Sequence, residues 1–257
     1  MADIELAIGN AIATDTLSRP AARNALTLAM WREIASLFAT LGADRAVRGI
    51  ILTGAGSCFS VGADIIEFDK VRASPAAARD YETAVDASAD AIFAAHQPTI
   101  AVIDGYCLGG GCHLALACDF RFARAGASFG IPAARLSIVY GLASTQRLLA
   151  LVGLGQARRI LYGAQRMDAA EAARIGLVDR LDDAAMAAAR QFALEMADNA
   201  PLSIAGAKTI LNGLTSGSGT LRSGEVDALI DHAIASQDYL EGRRAFAEKR
   251  QPRFTGE

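Results

Sequence analysis

The sequence is poor in cysteine, and this scarcity excludes two classes of protein. Its four cysteines are Cys58, Cys107, Cys112 and Cys118. They have neither the density of a disulfide scaffold nor the paired spacing of a zinc site. A chain of 257 residues also needs no covalent cross-links to bury a core. We therefore interpret the cysteines as reduced thiols, expect no metal site, and expect a cytoplasmic protein.

Runs of basic residues and long apolar segments are also missing. The formal net charge is −3 and the Lys and Arg residues are scattered, so we expect no nucleic-acid partner. The most apolar stretch, residues 99–120, is interrupted by Asp104 and by four glycines. The N-terminus lacks the basic and apolar regions of a signal peptide. We therefore expect no membrane partner and no membrane span.

What the chain does contain is enough apolar surface for a large core, since 52% of its residues are hydrophobic. Its pattern passes repeatedly through strand, loop and helix. Alternating or continuously apolar segments predict strands at 3–17, 49–54, 99–104 and 119–125. Helical spacing begins at Leu28 and recurs around Tyr81. This alternation indicates an α/β fold.

Beyond residue 144 the pattern is almost entirely helical. Ser144 and Asp168 are candidate N-caps, and Pro201 is a candidate first-turn proline. We therefore predict a core over residues 1–195 and a helical C-terminal region over residues 196–257.

Two glycine-rich loops each follow a predicted buried strand and lead towards a helix. They are IILTGAGSCFSVGAD and IAVIDGYCLGGGCHLALA. Glycines free backbone N–H groups to point outward, and a helix N-terminus adds a positive dipole, so such loops can bind an oxyanion. They can equally be tight turns. A dinucleotide fingerprint fails because Phe59 stands at its third glycine, and no P-loop lysine follows either loop.

These loops, together with ASFGIP, TQRLLALVG, EAARIGLVDR and EGRRAFAEKR, resemble the enoyl-CoA hydratase/isomerase, or crotonase, family in order and spacing over nearly the whole chain. The resemblance implies a spiral of ββα units with a C-terminal helical trimerisation region, assembled as a homotrimer or a dimer of trimers. It also implies an acyl-CoA substrate. Coenzyme A is then part of the substrate, and no separate cofactor is expected.

The resemblance also assigns residues to the site. It implies that the backbone N–H groups of Ala63 and Gly110 hold the thioester oxygen. Preorganised donors of this kind stabilise the negative charge that develops on a carbonyl oxygen. The positions that correspond to CoA contacts are Arg23, Asp64, Ile65 and Ile66, with Phe246 and Lys249 supplied by a neighbouring subunit.

Two positions depart from the pattern of a hydratase of this family, which uses two glutamates. The chain has His113 after GGGC and Ala133 after Ile-Pro, and residues 131–147 contain no Asp or Glu. A positioned acid or base contributes roughly 10²–10⁴-fold in rate. We therefore favour decarboxylation or double-bond isomerisation over ordinary hydration.

His113 and Tyr140 stand where the missing chemistry has to be found. His113 lies three residues after Gly110 and on the same helix face. A helix N-terminus disfavours its cation, so a neutral His113 could be a base or a hydrogen-bond donor. The alternative is that it only fills the space of a glutamate. Tyr140 resembles the tyrosine that a methylmalonyl-CoA decarboxylase of this superfamily places beside its substrate, although a packed loop tyrosine is the alternative.

Two other functions are compatible with parts of the sequence. The missing glutamates would suit a non-catalytic acyl-CoA binder. The segment GASFG at 126–130 fits the G-x-S-x-G pattern of a serine hydrolase around Ser128. Ile131 and Pro132 follow that segment where such a hydrolase begins a helix, which argues against it.

Overall fold

The computed structural model describes residues 2–216 and 223–257. The strands are, in chain order, β1 (Ile4–Gly9), β2 (Ile12–Leu17), β3 (Gly49–Gly54), β4 (Thr99–Ile103), β5 (Tyr106–Leu108), β6 (Phe120–Ala123), β7 (Ser128–Gly130), β8 (Met167–Asp168) and β9 (Arg180–Leu181). The helices are α1 (Leu28–Ala43), α2 (Phe68–Val71), α3 (Pro75–Ala94), α4 (Gly110–Ala117), α5 (Leu142–Gly163), α6 (Ala169–Arg174), α7 (Ala185–Ala197), α8 (Pro201–Thr215), α9 (Ser223–Ile234) and α10 (Gln237–Glu248). This mixture confirms the α/β class.

The strands form two sheets. The larger has the order β1-β2-β3-β4-β6-β9, in which β1 and β2 are antiparallel and the other neighbours are parallel. The smaller has the order β5-β7-β8, with β5 and β7 parallel and β7 and β8 antiparallel. Because β3 and β4 are parallel neighbours, the loops that follow them leave the same edge of the sheet. The two glycine-rich loops therefore start side by side.

The larger sheet is covered on both faces, as its parallel strands require. Alternate residues of β3 face opposite sides. Ile50 and Leu52 join the core cluster that includes Trp31 of α1, whereas Ile51 joins the cluster with Ala189 of α7. The strands are thus a layer between α7 and the helices α1, α3 and α4. The four cysteines are buried free thiols, as predicted.

The helix starts test three sequence predictions. Asp168 caps α6 by accepting a hydrogen bond of 2.8 Å from the Glu171 N–H, and Pro201 begins α8. Both predictions are confirmed. The prediction that Ser144 is an N-cap is wrong, because α5 begins two residues earlier at Leu142 and its N-cap is Gly141. Ser144 lies in the first turn instead, and its side chain is buried.

The C-terminal helices dock at the amino ends of the central strands. Lys208 of α8 donates a hydrogen bond of 3.0 Å to the Gln97 carbonyl, just before β4, and forms an ion pair of 2.8 Å with Asp119. Arg48, just before β3, donates to the carbonyls of Asn199 and Phe254. The glycine-rich loops leave the opposite ends of these strands. Within the described residues, no helix is long and apolar enough to cross a membrane.

Candidate functional site

The two predicted oxyanion donors lie next to each other. Leu26 forms a parallel bridge with Ala63 by donating to the Gly62 carbonyl at 2.8 Å and accepting from the Asp64 N–H at 2.9 Å. These two hydrogen bonds use the Gly62 carbonyl and the Asp64 N–H, and neither of them uses the Ala63 N–H. A β-carbon placed on Gly110 would lie 3.3 Å from the Ala63 nitrogen. Among the described residues, neither the Ala63 N–H nor the Gly110 N–H has a recorded acceptor.

Close packing explains why glycines occupy this region. A β-carbon on Gly62, where φ is +91°, would lie 2.7 Å from the Gly110 nitrogen. One on Gly110 would lie 2.9 Å from Cη2 of Trp31, and one on Gly111 would lie 2.6 Å from the Ser60 carbonyl oxygen. Real β-carbons do not approach other atoms so closely. The absence of these β-carbons therefore lets the first turn of α4 approach the loop that carries Ala63.

The arrangement can stabilise an oxyanion. Gly110 is the first residue of α4, so its N–H is among those left without an intrahelical acceptor. The positive end of the helix dipole lies at the same place. The structure brings together the two residues that the sequence predicted, and their catalytic role stays a prediction.

His113 is buried on α4, and both of its ring nitrogens are engaged. Nε2 lies 3.2 Å from the Val85 carbonyl oxygen of α3, and Nδ1 lies 2.7 Å from Oγ of Ser144. A carbonyl can only accept, so Nε2 carries the proton and Nδ1 accepts from the Ser144 hydroxyl. Burial lowers the pKa of His113 from 6.5 to about 4. The imidazole is therefore neutral at pH 7, as predicted, although burial is the main cause.

These contacts narrow what His113 can do. The ring is held between α3 and α5, with no nitrogen free to bond a substrate in this arrangement. Its contribution would have to pass through the Ser144 hydroxyl or require the bond to Ser144 to break. That His113 is catalytic stays a prediction. The hydrogen bond between Ser144 and His113 was not predicted, because the sequence around Ser144 carries no information about a partner on α4.

Tyr140 packs beside the first turn of α4, with its ring edge-on to that of His113 at a centroid distance of 6.1 Å. Its hydroxyl is buried and has no hydrogen-bond partner among the residues that the structure describes. Burial raises the pKa of Tyr140 well above 10, so the phenol stays protonated and can donate. An unpaired buried hydroxyl costs about 1–3 kcal/mol. Tyr140 therefore has an unused donor beside α4, and its place beside the substrate stays a prediction.

Two acidic side chains near the first glycine-rich loop already have partners. Asp64 forms an ion pair of 2.9 Å with Arg19 and accepts from the Ile66 N–H. Glu67 accepts a hydrogen bond of 2.6 Å from the Leu28 N–H at the start of α1. Both carboxylates help to hold the loop. A contact of Asp64 with CoA would therefore use its backbone or a part of the carboxylate that these partners leave accessible. That contact stays a prediction.

The other predicted CoA contacts are exposed, as a ligand-binding surface requires. Ile65 and Ile66 follow Asp64 in the chain, and they are 60% and 92% exposed. Arg23 has a left-handed backbone and its guanidinium lies over the Tyr106 ring. Phe246, which is 88% exposed, and Lys249 lie on or just after α10. That a neighbouring subunit's CoA contacts these two positions stays a prediction.

Ser128 lacks the setting of a hydrolase nucleophile. It is the first residue of β7, between β5 and β8, rather than on a sharp turn between a strand and a helix. Its N–H donates to the Gly105 carbonyl at 2.8 Å. After β7 the chain continues into a short 3₁₀ turn, Ala133–Leu136. Within the described parts of the chain, no group of three or more His, Cys, Asp or Glu side chains could hold a metal ion.

Comparisons with known proteins agree with this geometry. The family model for enoyl-CoA hydratase/isomerase matches residues 7–257. The chain is similar to the crotonyl-CoA hydratase of Syntrophomonas wolfei, with 36% identity over 242 residues that cover 93% of this chain and 92% of that protein. It is 34% identical to the short-chain-enoyl-CoA hydratase of Clostridium acetobutylicum over 243 residues, again covering 93% and 92%. The crystal structure of an enoyl-CoA hydratase/carnithine racemase from Magnetospirillum magneticum has a TM-score of 0.93 and 39% identity, and the match covers 100% of this chain and 97% of that chain.

Proposed function

Because the chain belongs to the enoyl-CoA hydratase/isomerase family, we propose that it is an enzyme acting on the thioester of an acyl-CoA. In this proposal the N–H groups of Ala63 and Gly110 form the oxyanion hole. The observation that carries it is the pair of unused donors, close together at the start of α4. Removing a proton or a carboxyl group next to a thioester places negative charge on its oxygen. One preorganised donor is worth about 3 kcal/mol in such a transition state.

The proposed reaction is decarboxylation or double-bond isomerisation rather than ordinary hydration. Positions 113 and 133 carry histidine and alanine in place of glutamate, and both nitrogens of His113 are engaged. Decarboxylation creates the enolate without a base. Tyr140 supplies a hydroxyl that could hold the substrate or return a proton. The named relatives include hydratases, so hydration is the outcome against which this proposal has to be tested.

The test is a panel of enoyl, malonyl-type and hydroxyacyl CoA thioesters, incubated with the protein and followed by mass spectrometry. We expect loss of CO₂ or a shifted double bond, and little addition of water. Rapid hydration that is unaffected by His113→Ala would overturn the preferred reaction and leave the acyl-CoA site intact. Tight binding of the thioesters without turnover would instead support the alternative of a non-catalytic acyl-CoA binder.

The proposed assembly is a homotrimer or a dimer of trimers in which α10 completes a neighbour's site. Two observations support it. Phe246 and several other large apolar side chains of the C-terminal helices are exposed on a single chain, among them Leu211, Leu214 and Ile234. These helices also dock at the strand ends opposite to their own Ala63 and Gly110.

A further inference from the structure

Helix α3, which contacts His113 through Val85, carries a carboxylate that the sequence pattern did not single out. Asp86 is on α3, next to Val85, whose carbonyl oxygen bonds His113. A β-carbon placed on Gly141 would lie 3.4 Å from Oδ1 of Asp86. Asp86 therefore faces the segment that contains Tyr140 and Gly141.

The residues around the first turn of α4 limit the directions that an acyl chain held at the oxyanion hole can take. The space beside Gly110 and Gly111 is filled by Trp31 and Ser60. The first turn of α4 is bordered on its other side by His113, Tyr140 and α3. Ile66 on one loop and Val139 and Leu142 on the other are exposed apolar side chains. To reach Asp86, the acyl chain would pass between α3 and residues 136–142.

Asp86 is unpaired in this position. Within residues 2–216 and 223–257, no hydrogen bond or ion pair is recorded for its carboxylate, although the side chain is half-buried. Burial raises the pKa of Asp86 above its ordinary value, Asp90 adds to this effect, and Arg147 opposes part of it. One turn further along α3, Asp90 is exposed and pairs with Arg147 at 2.5 Å. The two aspartates therefore differ in pairing, and Asp86 lies beside Gly141.

A carboxylate that loses water without gaining a hydrogen bond is costly. An alkyl chain placed against Asp86 would impose that cost, whereas a hydroxyl or amide N–H would donate to the carboxylate and remove it. We propose that Asp86 selects the acyl group. The chain then binds acyl-CoA thioesters whose acyl chain carries a hydroxyl or amide N–H in preference to those whose acyl chain is an unsubstituted alkyl chain. This inference rests on the proposed acyl-CoA function.

The test measures binding, so it does not depend on the reaction. Dissociation constants are determined by calorimetry for two pairs, butyryl-CoA with 4-hydroxybutyryl-CoA and hexanoyl-CoA with 6-hydroxyhexanoyl-CoA. Because a hydrogen bond to a charged group is the stronger kind, we expect at least one hydroxylated ester to bind about tenfold tighter than its alkyl partner. Asp86→Leu should abolish or reverse that preference, and the control variant Asp80→Leu, at an exposed position of the same helix, should retain it.

The outcomes separate this inference from the proposed function. Equal binding within both pairs, or the same preference in Asp86→Leu and in the unchanged protein, would overturn the role of Asp86 while leaving an acyl-CoA site in place. Failure of all four esters to bind would overturn the proposed function and this inference with it. Asp86→Asn, checked by circular dichroism, replaces Asp86→Leu if that variant does not fold. It should reduce the preference without removing it.

Discussion

Asp15 is a buried carboxyl group. It lies on β2 and is fully buried, and neither of its oxygens has a hydrogen-bond partner among the described residues. Burial, with a smaller contribution from Glu33, raises the pKa of Asp15 from 3.8 to about 7. The folded state therefore holds this proton more tightly than the unfolded state does. Its stabilising effect is complete below pH 3.8 and is lost as the pH rises to about 7.

We therefore expect Asp15→Asn to remove a pH-dependent part of the stability. Relative to this variant, the unchanged protein should lose about 3 kcal/mol of unfolding free energy between pH 4 and pH 7. The measurement is urea denaturation of both proteins across that range. Asp69→Asn, at an exposed position of α2, is the control. Parallel stability curves for the unchanged protein and Asp15→Asn would show that Asp15 is ionised in both states.

Tyr140 gives a second prediction at a single residue. Its buried hydroxyl lacks a partner, so Tyr140→Phe should leave the melting temperature unchanged or raise it. If the hydroxyl contacts the substrate, the same variant should lower kcat by about tenfold or more. Thermal melts and turnover of the best substrate from the thioester panel measure the two effects. A destabilised Tyr140→Phe variant would mean that the hydroxyl has a partner in solution.

At the scale of elements, α8 is held to the core by one buried cation. Lys208 is only 8% exposed and contacts the Gln97 carbonyl and Asp119. Removing one partner of a buried ion pair costs about 3–5 kcal/mol. Lys208→Met should therefore loosen α8, seen as faster hydrogen exchange in residues 201–215. Lys70→Met, at an exposed position, should not change that exchange. Unchanged exchange in Lys208→Met would mean that other contacts hold the helix, among them the hydrogen bond of 2.9 Å from Asn212 to the Phe93 carbonyl.

The longer elements were predictable because their apolar spacing repeats over several residues. The helix from Leu28 and the strands at 49–54 and 99–104 lie where the pattern put them, the last ending one residue early at Ile103. The strands β8 and β9, of two residues each, have no such repeat and were missed within a region predicted to be almost all helical. The N-cap of α5 was misplaced because Gly141 caps it without a side-chain hydrogen bond.

The candidate site was only partly predictable, for a related reason. Ala63 and Gly110 belong to contiguous motifs, so their loops could be found in the sequence. Asp86 could not, because its importance depends on how α3 packs against the segment after β7. The bonds of His113 to Val85 and Ser144 likewise join three separate helices.

At the scale of the whole molecule, the family and the crotonase-type fold are confirmed by the family match and by solved relatives. The division at residue 195 and the assembly stay predictions. If α10 completes a neighbouring site, a variant defective only in Gly110 and one defective only in Phe246 should each be inactive alone. Mixed oligomers would then regain part of the activity, because some sites combine an intact loop with an intact helix.

This complementation is measured by unfolding the two variants together, refolding them, and comparing turnover with that of each variant refolded alone. Light scattering of the unchanged protein should give the mass of three or six chains. A monomeric protein with full activity would contradict the proposed assembly. Absence of rescue in an oligomer of the expected mass would place Phe246 outside the neighbouring site.

The central claim is that the N–H groups of Ala63 and Gly110 polarise a thioester carbonyl. Infrared difference spectroscopy of an acyl-CoA labelled with ¹³C at the thioester carbonyl tests it directly. We predict that the carbonyl stretch moves to lower frequency on binding than in water. The shift should be smaller in Gly110→Ala, whose β-carbon meets Trp31, and unchanged in Gly126→Ala, where no atom lies within 4 Å of the added carbon. A bound carbonyl with the same frequency as in water would contradict the oxyanion hole.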